Sequence, residues 1–205
     1  YDYTVNWGDG TIENNITDTS SHNYTVSGEY QIEIIGTFPG IDFSEAGISR
    51  AMLLSIDQWG DIEWATMESA FANCGNLDVL AKDVPNLSNV TDASNMFLNC
   101  ESLVGNSKFN EWDVSTLQNF ESMFNGTISF NQILGKWNTL QVNYMDKMFF
   151  ESGFSNSLGT WDISQILSMD QMLTGSQLST LNYDNTLVGW SRLQNLKTNV
   201  VFDAG

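Results

Sequence analysis

Three carboxylates close together in the chain, Asp9, Glu13 and Asp18, are the first residues whose types suggest chemistry, as oxygen ligands for a cation. Their spacing does not match a calcium loop, which places acids at alternate positions around a fixed glycine. They read as turn residues, and weak calcium binding is the one cofactor role left open. Cys74, Cys100 and the single histidine, His22, are too few to complete a tetrahedral zinc site. No acid or imidazole is evident in a position to activate either thiol. The seven basic residues (Arg50, Lys82, Lys108, Lys136, Lys147, Arg192 and Lys197) are scattered, whereas a lyase of acidic polysaccharides gathers cations over its substrate. Paired carboxylates at glycosidase distances would need loops long enough to bring them together. No nucleophile elbow, phosphate loop or metalloprotease motif occurs. The chain reads as non-enzymatic, with no catalytic residue and no cofactor beyond that weak calcium role.

Charge narrows the partners. With 25 acidic and 7 basic residues, the net charge of −18 repels nucleic acids and anionic membranes. No apolar run approaches the roughly 20 residues that cross a bilayer. The chain begins on Tyr1 without a charged-then-apolar leader and reads as a mature or excised fragment. At 41% hydrophobic, it has the composition of a folded protein.

What must position any surface chemistry is a repeat. The stretch "WDVSTLQNFESMFNGTISFNQILGKW", residues 112–137, begins and ends on tryptophan. Taking the phenylalanine of "SMF" as position zero aligns Phe71, Phe97, Phe124, Phe149 and Leu173, separated by 26, 27, 25 and 24 residues. Twelve residues earlier stand Trp59, Pro85, Trp112, Trp137 and Trp161. Apolar residues recur at −7, −4 and −1. Three residues after zero come Cys74, Cys100, Thr127, Ser152 and Ser176. Five such units of about 25 residues cannot each bury an apolar face alone, but stacked units can.

The offsets −7, −4, −1 and 0 suggest one face of a short helix. Ser88, Ser115 and Ser164 stand where its N-cap belongs, and Ser115 with Gln118 makes a capping-box pattern. Glycines and asparagines after zero suggest turns around a short strand. The expected fold is an α/β repeat solenoid, leucine-rich-repeat-like, with a short helix and a short parallel strand per coil and an N-terminal antiparallel β cap. Trp59, Trp112, Trp137, Trp161, Phe71, Phe97, Phe124 and Phe149 would form its internal ladder. Cys74 and Cys100 fall in one column of adjacent coils, within reach of a disulfide. In-register side chains would strain that bond, which favours two buried free thiols over a bridge.

The pattern "WDVSTLQNFESMF…SFNQILGKW…WDISQILSMDQML" resembles the repeats of BspA-type leucine-rich-repeat surface proteins of Bacteroidetes, mycoplasma lipoproteins and other bacteria, over roughly residues 59–178. That resemblance implies an exported, surface-displayed, adhesive protein with no catalytic residues to carry over. Pro85 in place of tryptophan and Leu173 in place of phenylalanine depart from the pattern. At the N-terminus, "WGDGT…HNYTVSGEYQIEI" resembles part of a PKD-type immunoglobulin-like β-domain, which implies a structural role for His22.

Three segments follow: a β-hairpin or cap over 1–41, the five repeats over 42–182, and a helix–strand cap over 183–205. Tyr1, Tyr3, Val5 and Trp7 alternate with polar residues as a strand, and "GDG" marks a turn. Leu187, Trp190 and Leu193 are spaced as on an amphipathic helix, and "VVF" at 200–202 reads as a strand.

The functional expectation is an extracellular recognition or adhesion module on a cell surface, binding a protein partner. Glu111, Asp113, Lys136, Asn138, Thr160 and Asp162 flank the tryptophan column in three successive repeats and are the candidate contacts. The alternatives are a glycan-binding module using exposed tryptophans, and a structural or fibre component of a phage or cell-surface assembly.

Overall fold

A computed structural model describes residues 1–43 and 46–203. Parts of the 42–182 and 183–205 segments, at positions 44–45 and 204–205, lie outside the described residues.

The N-terminal residues pair as three antiparallel strands in the order β2-β1-β3: β1 (Asp2–Asn6), β2 (Ile12–Ile16) and β3 (Glu33–Thr37). Alternation sets the buried face, where Tyr3 and Val5 turn inward. Phe38 joins this sheet to the repeats, with its ring 4.9 Å from Tyr3 and 6.2 Å from Trp64. Two short parallel strands follow, β4 (Ser55–Ile56) and β5 (Asp78–Val79), with Ser55 opposite Asp78.

The α/β repeat solenoid expected from the sequence is not what the chain forms. Among the described residues, α-helix is confined to α1 (Thr180–Trp190), which lies after the last repeat. The 3-10 segments Gly47–Met52 and Ser107–Glu111 lie outside the phenylalanine strips. Strand within the described residues of 42–182 is limited to β4, β5 and single parallel bridges such as Asn119–Tyr144 and Tyr144–Ser168.

The backbone dihedrals give the reason. At −2 from the phenylalanine, Ser69, Asn95, Ser122, Lys147 and Gln171 all have positive φ, between 53° and 55°. At +2, Asn73, Asn99, Gly126, Glu151 and Gly175 are positive as well. Left-handed residues four apart cannot lie within a right-handed helix. The apolar spacing of 3 and 4 that suggests a helix arises here from successive turns. The N–H groups at −1, +1 and +3 each donate three residues back, as Met123 does to Phe120 (3.1 Å).

The alternate N–H groups, at −4, −2, 0 and +2, point to the next repeat. In repeats one to four they make sixteen hydrogen bonds of 2.7–3.1 Å to its carbonyls, including Phe97 to Met123 and Phe124 to Met148. Intra-turn and inter-repeat bonds together satisfy the backbone of these strips, as a buried chain requires. Side chains add to this in repeats one to three. The −5 residues Thr66, Asp92 and Asn119 accept from the N–H at −3.

Pairing at this spacing stacks the side chains. The rings of Phe71, Phe97, Phe124 and Phe149 lie 5.6–5.7 Å apart in sequence and nearly parallel. Trp112, Trp137 and Trp161 follow suit at 6.4 and 5.9 Å. Pro85 interrupts that column, and Trp59 meets Trp112 edge-on across it at 5.5 Å. The Trp137 and Trp161 indoles donate to the Phe109 and Leu134 carbonyls (2.6 and 2.9 Å).

Left-handed geometry in a residue with a Cβ costs about 1–2 kcal/mol. Glycine removes that cost but loses roughly 0.5–1 kcal/mol through its freer unfolded chain. Gln171→Gly, with φ at 54° and no charge change, is therefore expected to raise stability by about 0.5–1 kcal/mol in urea denaturation. Gln171→Val is expected to lower it.

Cys74 and Cys100 are both free and fully buried. The Cys100 thiol donates to the Phe71 carbonyl (3.1 Å). The same column holds Thr127 and Ser152, whose hydroxyls donate to Phe124 and Phe149 (2.6 and 2.8 Å). Burial pushes the Cys74 thiol up to about 11 and Cys100 higher still. A thiol-specific reagent at pH 8 is expected to leave the folded chain unmodified and to titrate both cysteines after unfolding. Stoichiometric reaction without urea would contradict this packing.

Candidate recognition surface

The six candidate contact residues lie on the outer edge beside the tryptophan column. Glu111, Asp113, Lys136, Asn138 and Thr160 are exposed, and Asp162 is half-buried. Three of them already hold the backbone. Asp113, Asn138 and Asp162 each accept from the N–H two residues on, at 3.1, 3.2 and 2.8 Å. Asn86, the equivalent residue after Pro85, does the same to Ser88 (3.2 Å). These are side-chain-closed turns. They replace the expected N-caps: the N–H groups of Ser88, Ser115 and Ser164 are received by these side chains, and no helix begins there.

Bonds between repeats fix the strip laterally. Lys136 N–H donates to Asn110 (2.9 Å), Thr160 to the Gly135 carbonyl (3.0 Å), and Thr139 to the Asp162 carbonyl (2.9 Å). Lys108 and Glu111 form an exposed ion pair at 2.7 Å. Lys108 beside it holds the Glu111 carboxyl below its usual range. Hydrogen bonds from the Ser115 hydroxyl and backbone lower Asp113. Both carboxyls are held below their usual range, Glu111 with a smaller contribution from Lys136, so the strip carries negative charge.

The N-terminal carboxylates do not converge. Asp9 accepts from Thr11 N–H (2.9 Å) and pairs with His22 Nε2 (2.8 Å). The Thr11 bond, then His22, holds the Asp9 carboxyl down to about 2. Glu13 accepts from the Ser20 hydroxyl, and Asp18 accepts from Thr19 N–H (2.8 Å). Among the described residues, no group of three or more His, Cys, Asp or Glu is placed to hold a metal ion. His22 stacks on Trp7 at 5.1 Å and meets Tyr24 edge-on at 4.7 Å, with Tyr24 stacked on Tyr30 at 4.1 Å.

Sequence reasoning overlooked two acids that bind backbone in a neighbouring repeat. Asp83 accepts from the N–H groups of Trp59 and Gly60, and Asp78 from those of Val104 and Gly105. Single acids outside the aligned columns carry no periodic signal that separates them from solvated ones.

The family model described as a Mycoplasma protein of unknown function, DUF285, matches residues 65–186. This span runs from the first phenylalanine strip into α1. The chain belongs to the DUF285 family. No curated protein and no solved structure matches it. Among the described residues of this DUF285 chain, no helix is long and apolar enough to cross a membrane.

Proposed function

We propose that the chain is a non-enzymatic extracellular recognition or adhesion module that binds a protein partner through the strip beside the tryptophan column. The observation that carries this reading is the division of labour within each repeat. Rings, methionines and alternate N–H groups are consumed between repeats. Beside the tryptophan column, Asp113, Asn138 and Thr160 are exposed yet their side chains are held by turn-closing or inter-repeat bonds, and the backbone of Lys136 is held by Asn110. A surface ordered before binding loses little side-chain entropy on contact. Resemblance to BspA-type surface proteins supports display outside the cell and an adhesive role.

The glycan alternative has lost most of its platforms. Trp59, Trp64, Trp112, Trp137, Trp161 and Trp190 are buried, and only Trp7 is half-exposed.

The test is retention on solubilised extracellular matrix of the intact chain and of Lys136→Glu, which leaves the backbone bond of Lys136 in place. Removing a favourable rim charge and adding a like one is expected to weaken binding about tenfold or more, with the unfolding midpoint unchanged. Equal retention of both proteins would remove the strip from consideration.

A further inference from the structure

Cys74 and Cys100 are the two cysteines of the chain, and the repeats bring them into one column across the first junction. Both are fully buried. The backbone around them is tied from one repeat to the other. Asn73 N–H donates to the Leu98 carbonyl (2.7 Å), and Ser102 N–H donates back to the Gly75 carbonyl (3.0 Å). The Asn99 side chain donates to that of Asn73 (2.9 Å). Three residues before each cysteine, the rings of Phe71 and Phe97 lie 5.6 Å apart. Paired segments at a spacing of about 4.8 Å bring the two cysteines within the span a disulfide accepts.

Register alone would leave the two side chains parallel, which strains a bond between them. The Cys100 thiol departs from that arrangement. At the same position in repeats three and four, the Thr127 and Ser152 hydroxyls donate within their own turns, to Phe124 and Phe149. Cys100 donates instead across the junction, to the Phe71 carbonyl of repeat one (3.1 Å). That oxygen also accepts the Cys74 N–H (3.1 Å). One acceptor thus holds the sulfur of one cysteine beside the main chain of the other.

We propose that Cys74 and Cys100 are a redox-sensitive staple, reduced in this structure and closed by a small disulfide oxidant into a bond between repeats one and two. When the junction opens, or before it first closes, one cysteine thiolate attacks the oxidant. A mixed disulfide forms and one small thiol leaves. The second cysteine then attacks the protein sulfur of that mixed disulfide and expels the second small thiol. Two protein S–H bonds are replaced by one S–S bond, and two electrons and two protons leave on the small thiols. Burial keeps both groups as thiols while the junction is closed, so the exchange waits on opening. The bond closes a loop from residue 74 to residue 100 and restricts the unfolded chain accordingly. The inference concerns the interior and does not rest on the tryptophan-flanking strip.

In the experiment, the intact chain is refolded from urea with oxidised glutathione in excess over reduced, then unfolded and alkylated. The expected product is a monomer lighter by two hydrogens, with neither cysteine alkylated and with a proteolytic peptide pair joined through Cys74 and Cys100. Its circular dichroism spectrum before unfolding is expected to match that of the reduced chain. Its unfolding constant in urea is expected to be smaller by about tenfold or more, and dithiothreitol is expected to abolish the difference. Cys100→Thr and Cys74→Ser, which place residues the column already holds at Thr127 and Ser152, are expected to show no response of the unfolding midpoint to the oxidant. Mixed disulfides with glutathione, or cross-linked dimers, in place of the internal bond overturn the proposal. So does an internal bond that alters the spectrum or leaves the chain no more stable than its reduced form.

Discussion

Phe124→Ala is expected to destabilise the chain by about 4 kcal/mol, measured as the loss in urea-unfolding free energy. The ring is fully buried in the middle of its column. It stacks on Phe97 at 5.7 Å, Phe149 at 5.6 Å and Phe130 at 4.3 Å, and it meets Phe109 edge-on at 6.2 Å. Truncation removes the transferred surface and leaves a void walled by four other rings. Those walls are tied to backbone that is hydrogen-bonded on both sides, so they collapse poorly. Against a typical total of 5–15 kcal/mol, one such loss removes a large share of the stability. Phe124→Leu is expected to cost no more than about 1.5 kcal/mol, because leucine fills most of the same space. Repeat five already carries Leu173 in that column. Equal effects of the two substitutions would show that filling the column with apolar volume is not what holds the repeats together.

Gly189→Ala is expected to lift α1 from the repeats, at a cost of about 2–3 kcal/mol. The helix lies so close to the 155–159 segment that a Cβ on Gly189 would overlap the backbone of Gly159. Backbone cannot step aside as a flexible side chain would. The contact is reinforced by Thr186, which is buried and accepts from Leu158 N–H (2.9 Å). The Trp190 indole donates to the Leu158 carbonyl (3.0 Å), and Asn182 donates to the Ser155 carbonyl (2.6 Å). A shift large enough to relieve the overlap breaks all three. Faster amide exchange across 180–190, with exchange in the central repeats unchanged, is the expected signature. Val188→Ala, on the exposed side of the same helix, is expected to change little.

The sequence makes the inward positions legible because packing acts on side chains, and their types and spacing are written directly in it. Large apolar residues recur at fixed offsets from Phe71, Phe97, Phe124 and Phe149, and these rings lie over one another. The backbone was not legible in the same way. An apolar spacing of 3 and 4 fits a helix and also a run of turns, and the deciding residues are the left-handed ones at −2 and +2. Had all ten been glycine or asparagine, they would have announced themselves. Lys147, Glu151 and Gln171 hide the feature, because residues with a Cβ rarely adopt positive φ. The expected helix per repeat fails on that point. The outer strip was legible as polar, but its second role was not. Asp113, Asn138 and Asp162 close turns that were not expected, so their bonds could not be read from their types.

The inter-repeat hydrogen bonds are the feature on which every other statement depends, and labelling reaches them directly. In all four junctions the N–H at position zero belongs to phenylalanine and its acceptor to methionine: Phe71 to Met96, Phe97 to Met123, Phe124 to Met148 and Phe149 to Met172. With phenylalanine ¹⁵N-labelled and methionine ¹³C-labelled at the carbonyl, scalar couplings across hydrogen bonds are expected for those four pairs. A helix would instead couple Phe71 to Met67 and Phe149 to Met145, four residues back in the same repeat. Observing those two couplings without the four between repeats would contradict the stacked turns.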